Sequence, residues 1–233
     1  MEQGQVYQWL AEIGADLAGV VPSADWAGYL PSDIAHRSIV IFGAGGPDFI
    51  RRCQAHAAVH GDPEHWLSDY AQYLFEARLG PSPRYLNPYR TGLNFPFMRA
   101  AIAAGIGVMG LNHVVLTPRW GPWFSLLGAI VLADESPATG PTDFDPCTEC
   151  PATCLAACPS GAVSKAGYDG YKCITTKLKH APCLHACPAR HACVLRPDLR
   201  REMIGLESSR YKSDGETRSR FETFLQGRYE AGR

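Results

Sequence analysis

Signals for export or membrane insertion are missing from this chain. No apolar run approaches the about 20 residues that a spanning helix needs. The opening residues, MEQGQVYQWLAEIG, hold neither a basic leader nor a long apolar stretch, so no signal peptide is expected. An excess of charge is missing too. The net charge of −1 over 233 residues predicts no bulk attraction to nucleic acid or acidic lipid. The dinucleotide fingerprint G-x-G-x-x-G is incomplete at Gly43-Ala-Gly-Gly46, which reads as a turn into a helix. Acid is missing from one long stretch: Gly80 to Ala133 holds Arg84, Arg90, Arg99 and Arg119 but no Asp or Glu. Those arginines either offer bidentate partners to a phosphate or carboxylate, or pair with acids elsewhere in the chain.

What the chain does have is cysteine. All but one of its nine cysteines lie between Cys147 and Cys193. With no export signal, the cytoplasm is the expected location, and thiols there serve metals or catalysis rather than disulfides. The first run, Cys147-x2-Cys150-x3-Cys154-x3-Cys158-Pro159, is the bacterial iron–sulfur pattern with one residue added between the second and third cysteines. Its fourth cysteine serves a second cluster in two-cluster ferredoxins. The second run is Cys173, His180, Cys183-x3-Cys187-Pro188 and a late Cys193. Two Cys-Pro junctions and the interleaved order favour a two-cluster ferredoxin-like module over structural zinc. The spacing predicts one [4Fe–4S] cluster on Cys147, Cys150, Cys154 and Cys187. A second would take Cys158, Cys173, Cys183 and either His180 or Cys193. If His180 marks a lost site, a single cluster forms.

Outside that module the periodicity predicts a helix over 4–17 with Val6, Trp9, Leu10, Ile13 and Leu17 inward, then a short strand over 18–21. Ser38 to Ala44 reads as a buried strand. Asp62-Pro63 caps a helix through Leu79 with Trp66, Leu67, Tyr70, Tyr73, Leu74 and Ala77 on one side. His56 and His60, four apart, are read as surface histidines for want of a third ligand. Cys53 is read as a small buried hydrophobe. A helix over 97–104 leads to Gly105, Gly107 and Gly110, and strands follow over 113–116 and 123–133. The Pro/Thr/Asp-rich stretch after Asp134 is a linker. These signals divide the chain into an α+β domain over 1–140, the cysteine module over 141–198 and a charged helical tail over 199–233. In the tail Phe221, Phe224 and Leu225 form a narrow docking stripe.

The run from Arg99 through Gly105-Ile-Gly-Val-Met-Gly110-Leu-Asn112-His113 to Thr117-Pro118-Arg119-Trp120-Gly-Pro-Trp123-Phe124 resembles the core of the epoxyqueuosine reductase family. The order and spacing match from roughly Gly92 to Cys187. The word around Pro118 to Phe124 is also similar to the cobalamin-processing chaperone and decyanase family. The resemblance implies a nitroreductase-like, cobalamin-binding α+β domain ahead of the ferredoxin-like module. It also implies corrin contacts from Arg99, Gly105, Gly107, Gly110, Asn112, Pro118, Arg119, Trp120, Trp123 and Phe124. FMN is a further occupant of such folds. The implied activity is a reductase passing electrons from its clusters to cobalamin. Alternatives are a corrinoid chaperone or decyanase, or a plain ferredoxin-type carrier. A corrinoid or small-molecule acceptor and a flavodoxin or ferredoxin donor are the expected partners, with no membrane and no tRNA. One departure limits the implied chemistry. The family's proton-donating Asp has no counterpart in Thr91-Gly-Leu-Asn94-Phe-Pro-Phe, which leaves Asn94 and His113 as candidates for a catalytic role.

Overall fold

The computed structural model describes residues 2–30, 38–60, 66–80, 84–88, 95–180, 182–183, 186–208, 222 and 225–226. It is a mixed α and β structure dividing into two compact units, Met1–Val108 with Thr117–Phe144, and Met109–Leu116 with Asp145–Arg233. The first is built on an antiparallel sheet in the order β1 (Leu17–Pro22), β2 (Ser38–Gly45), β6 (Phe124–Val131), β3 (Tyr85–Leu86). Alternation along β2 sends Ile39 and Ile41 to one face and Val40 and Phe42 to the other. On the first face they join Ala129 and Val131 of β6 and are covered by Phe97, Ala100, Ala101 and Ala104 of helix α4 (Phe97–Ala103) and its C-cap.

On the opposite face Phe42 meets Trp9 of α1 (Gln3–Ile13) edge-on at 5.5 Å, and Trp9 meets Phe75 of α3 (Trp66–Leu79) at 5.4 Å. Tyr85 completes the group, 5.1 Å from Phe75, and its buried hydroxyl donates to the Leu127 carbonyl at 3.1 Å. Gly128 lies beneath that ring, where a Cβ would stand 2.9 Å from the phenol. Register slips at Phe42/Gly43, a bulge that brings Gly43 against the Ser125 backbone.

The α3 stripe differs from the expected one. Leu67, Ala71 and Phe75, spaced by four, are buried, whereas Tyr73 and Ala77 are exposed. Tyr73 instead meets His56 of α2 (Pro47–His60) at a tilt with ring centres 4.7 Å apart, and Tyr70 does so at 4.8 Å, so His56 belongs to an aromatic surface group. Cys53 is buried in the same helix, as a small hydrophobe would be. Asp62-Pro63, Phe221 and Phe224 fall outside the described residues.

The second unit contains little regular structure: α5 (Thr153–Ala157), a hairpin of β7 (Val163–Ser164) with β8 (Gly167–Tyr168), α6 (Gly170–Lys179), and helices Pro188–His191 and Pro197–Ser208. Its apolar centre is small, with Cys154, Val163 and Ala189 buried and Leu111, Leu155, Cys158 and Cys187 packed round them. No helix among the described residues is long and apolar enough to cross a membrane.

Candidate metal centre

Short helices and tight turns of the second unit position its thiols. Asp145 accepts from the Cys147 amide at 3.3 Å and from the Thr148 hydroxyl, which lowers its own pKa, and this opens the first cysteine loop. The added residue between Cys150 and Cys154 is absorbed at Ala152, whose φ of 54° is left-handed. Cys154 thereby falls in the first turn of α5. Thr153 donates its hydroxyl to the Ala192 carbonyl at 2.6 Å, and Arg200 donates to the Cys193 carbonyl, so both ends of the module are tied together. Asp169 caps α6 by accepting from Lys172 at 2.9 Å, setting Cys173 in its first turn.

Eight cysteines resolve into two sets of four. Burial, then the charges of Cys193, Cys150 and Cys147, push the Cys154 thiol up. Burial pushes the Cys193 thiol up, the Leu195 backbone amide opposes it, and Cys147 and Cys150 then raise it further against Arg200. The same four cysteines line one cavity, together with Asn112 and Leu195. In the other set burial pushes the Cys183 thiol up; Lys177 opposes this, while Cys187, Cys158 and Cys173 reinforce it. Lys177 also donates to the Cys183 carbonyl at 3.0 Å. Burial would push the Cys158 thiol up as well, but Ser160 and the backbone amides of Val163, Ala162 and Ser160 outweigh it and the net shift is downward. Tyr168 leans on this set. Burial and a hydrogen bond with Cys173 raise its phenol, and its ring stacks on His113 at 5.5 Å.

This grouping of neighbours differs from the expected one. Cys187 joins Cys158, Cys173 and Cys183, and Cys193 joins Cys147, Cys150 and Cys154. His180 is exposed at the C-cap of α6 and is not among the groups acting on Cys183. The signal that was available is ordinal: the first three cysteines pair with the last, and the fourth through seventh pair together. The Cys-Pro words had pointed to Cys187 instead. Among the described residues no three Cys, His, Asp or Glu draw close enough to hold a single ion. Tetrahedral zinc would bring four thiolates to about 3.8 Å of one another, from Zn–S bonds of about 2.3 Å. A cubane, with a thiolate at each iron, asks for wider spacing, and two sets of four thiols are the donor chemistry it takes.

The residues assigned to a corrin meet different fates. Gly105, with φ of 71°, spends its freedom on close packing against the Gly140 carbonyl, and Gly107 is buried. Gly110 makes room for Asn112 and Leu116 of its own turn. Trp123 is wholly buried in the core. Trp120 lies on Gly45 and Gly46, donates its indole N–H to Asp16 at 2.8 Å, and carries Arg119 over its ring at 4.8 Å. Arg119 closes the group with an ion pair to Asp16 at 3.0 Å. The acid-free stretch thus finds one of its acids outside itself, and sequence reasoning missed Asp16. Arg99 and Pro118 are exposed and Phe124 is half-buried. Among the described residues of this set, Trp120, Trp123 and the glycines are engaged in packing and hydrogen bonds within the fold. Asn94 lies outside the described residues.

The chain matches no protein-family model and no curated protein. Solved structures do match. Epoxyqueuosine reductase from Streptococcus thermophilus aligns at a TM-score of 0.52 with 15% identity, covering 82% of this chain and 65% of that one. The Bacillus subtilis enzyme, in a structure with its catalytic aspartate loop swung out of the active site, aligns at 0.50 with 16% identity, covering 84% and 66%.

The chain has the epoxyqueuosine reductase fold.

It spans just under two thirds of the length of those two proteins. A further epoxyqueuosine reductase structure, holding a tRNA-Tyr epoxyqueuosine-modified stem loop, aligns at 0.47 with 17% identity, covering 85% and 68%.

Proposed function

We propose that this protein is an iron–sulfur reductase related to epoxyqueuosine reductase, with a nitroreductase-like unit and a ferredoxin-like two-cluster module. One [4Fe–4S] cluster is held by Cys147, Cys150, Cys154 and Cys193, and the other by Cys158, Cys173, Cys183 and Cys187. The observation that carries this reading is that Cys147, Cys150, Cys154 and Cys193 line one cavity, while Cys158, Cys173 and Cys187 are the thiols that act on Cys183. Such clusters supply single electrons. The chain's own residues hold them, keep water from Cys154, Cys183 and Cys193, and fix the loops through Asp145, Thr153 and Arg200. The fold likeness supports a reductase over a plain electron carrier, because the unit with the four-stranded sheet has a place in it. Cobalamin as the acceptor, with FMN as its alternative, rests on the resemblance of the Gly105 to Phe124 run.

The reaction on epoxyqueuosine needs a proton donor, and Gly80 to Ala133 contains no carboxylic acid. Losing a positioned general acid costs about 10²- to 10⁴-fold in rate. The expectation against tRNA is at odds with the stem loop that one neighbouring structure holds. The deciding assay mixes dithionite-reduced protein with an epoxyqueuosine-containing stem loop, with and without cob(II)alamin. The modified base is expected to survive unchanged. Turnover at the rate of an Asp-bearing reductase would make this chain an epoxyqueuosine reductase and overturn the different-substrate reading. A shift of the cobalamin spectrum on binding would assign the acceptor as a corrinoid.

A further inference from the structure

Asn112 is 4% exposed and stands in the wall of the cavity lined by Cys147, Cys150, Cys154 and Cys193. Its Oδ1 accepts from the Val114 amide at 3.3 Å. An amide nitrogen cannot accept that bond, so the carboxamide is not free to flip. Its Nδ2 is buried and has no hydrogen-bond partner among the described residues. A buried donor left unmade loses its hydration with nothing in return. Leu111, Leu116, Val194 and Leu195 make the rest of the wall apolar, and the Thr153 hydroxyl is committed to Ala192. Nδ2 makes no bond to the Thr153 oxygen, and the other side-chain acceptors lining this cavity are the four cysteine sulfurs.

We infer that Asn112 donates its Nδ2–H to a sulfur of the cluster on Cys147, Cys150, Cys154 and Cys193, and so raises that cluster's reduction potential. The inference rests on the two-cluster reading above. Reduction adds negative charge to the cluster, and a donor aimed at sulfur stabilises the more negative state. The cavity wall thereby distinguishes the two clusters. Asn112 serves the first set, while Tyr168 and Ser160 stand beside the second.

The test is an anaerobic redox titration, followed by electron paramagnetic resonance, of the full cluster-loaded chain and its Asn112→Leu and Asn112→Asp variants. The first cluster is the signal that Cys154→Ala removes. Its potential is expected to fall in Asn112→Leu by about tenfold in electron affinity, ~59 mV for a one-electron couple. The fall should be larger in Asn112→Asp, which adds negative charge. The other cluster should hold its potential, and iron and sulfide should be unchanged. Unaltered potentials, or a shift confined to the other cluster, would overturn the inference. A second measurement does not depend on the variants folding. Wild-type protein labelled with 15N-asparagine should show a nitrogen coupling to the reduced first cluster by pulsed resonance, and its absence would overturn the inference. Protein without iron or sulfide would remove the two-cluster reading and this inference together, and the iron assay tells that case apart.

Discussion

Cys193 lies farthest along the chain from the thiols it joins, and its membership gives the sharpest residue-scale prediction. Cys154→Ala and Cys193→Ala should each remove about four of about eight irons, and the double variant should remove no more than either alone, because one cluster is lost. Combining Cys154→Ala with Cys187→Ala should leave no iron. Iron and sulfide assays read the outcome, and iron remaining in that second pair would restore the Cys187 assignment suggested by the Cys-Pro junctions. Ala152 carries another prediction. A left-handed non-glycine residue costs roughly 1–2 kcal/mol, so Ala152→Gly should raise stability by about 1 kcal/mol with clusters retained. A lower melting temperature would contradict this. The cysteines proposed as ligands stand out in the sequence, whereas their grouping does not. Cys183 and Cys187 are adjacent in a short run, and only the folded loops decide which set each thiol faces. Asn112 was visible as a candidate for cofactor contact, but its carboxamide turns toward the cysteine cavity.

The sheet and its covering helices read well from periodicity where one face is apolar. The strand over Ser38–Gly45 and helix α4 fall close to the expected ranges, whereas helix α1 ends at Ile13, stopped by left-handed Gly14, and Leu17 opens β1 instead of completing the helix. Helix α3 read less well, because aromatic residues occur on two of its sides and only packing against Trp9 and Tyr85 chooses Phe75 over Tyr73. Strand β3, only two residues long, carries no period that could announce it. Two predictions belong here. Gly128→Ala forces a methyl against the buried Tyr85 ring and should cost about 1–3 kcal/mol by urea unfolding; an unchanged midpoint would contradict the packing. Tyr85 has its phenol pushed well up, first by burial and then by Asp69 and Glu76. Its folded pKa is therefore above its unfolded value, about 10. The stabilisation is full below that pH and is lost as pH rises toward the folded value. Unfolding free energy should fall between about pH 10 and 11, and Tyr85→Phe should flatten that slope. An equal slope in the variant would contradict the assignment.

At the scale of the whole molecule, the sheet unit has its core of Ile39, Ile41, Phe42 and Trp123, while the cysteine unit buries few apolar side chains among its described residues. On the two-cluster proposal, a unit with so small a core among its described residues draws folding free energy from its metal. Chelating or oxidising away the iron should therefore unfold the second unit and leave the first, seen as loss of helix signal with the Trp9 and Trp123 environment retained. A single cooperative loss of both would contradict that independence. The near-neutral charge argues for an acceptor recognised by shape and local contacts rather than by field. The central claim is two clusters on two sets of four thiols. It is tested most directly by Mössbauer spectroscopy of anaerobically purified 57Fe-labelled protein, with iron, sulfide and zinc counted on the same sample. The account predicts about eight irons and as many sulfides per chain, all in [4Fe–4S] form. Stoichiometric zinc without acid-labile sulfide, or only four irons, would contradict it.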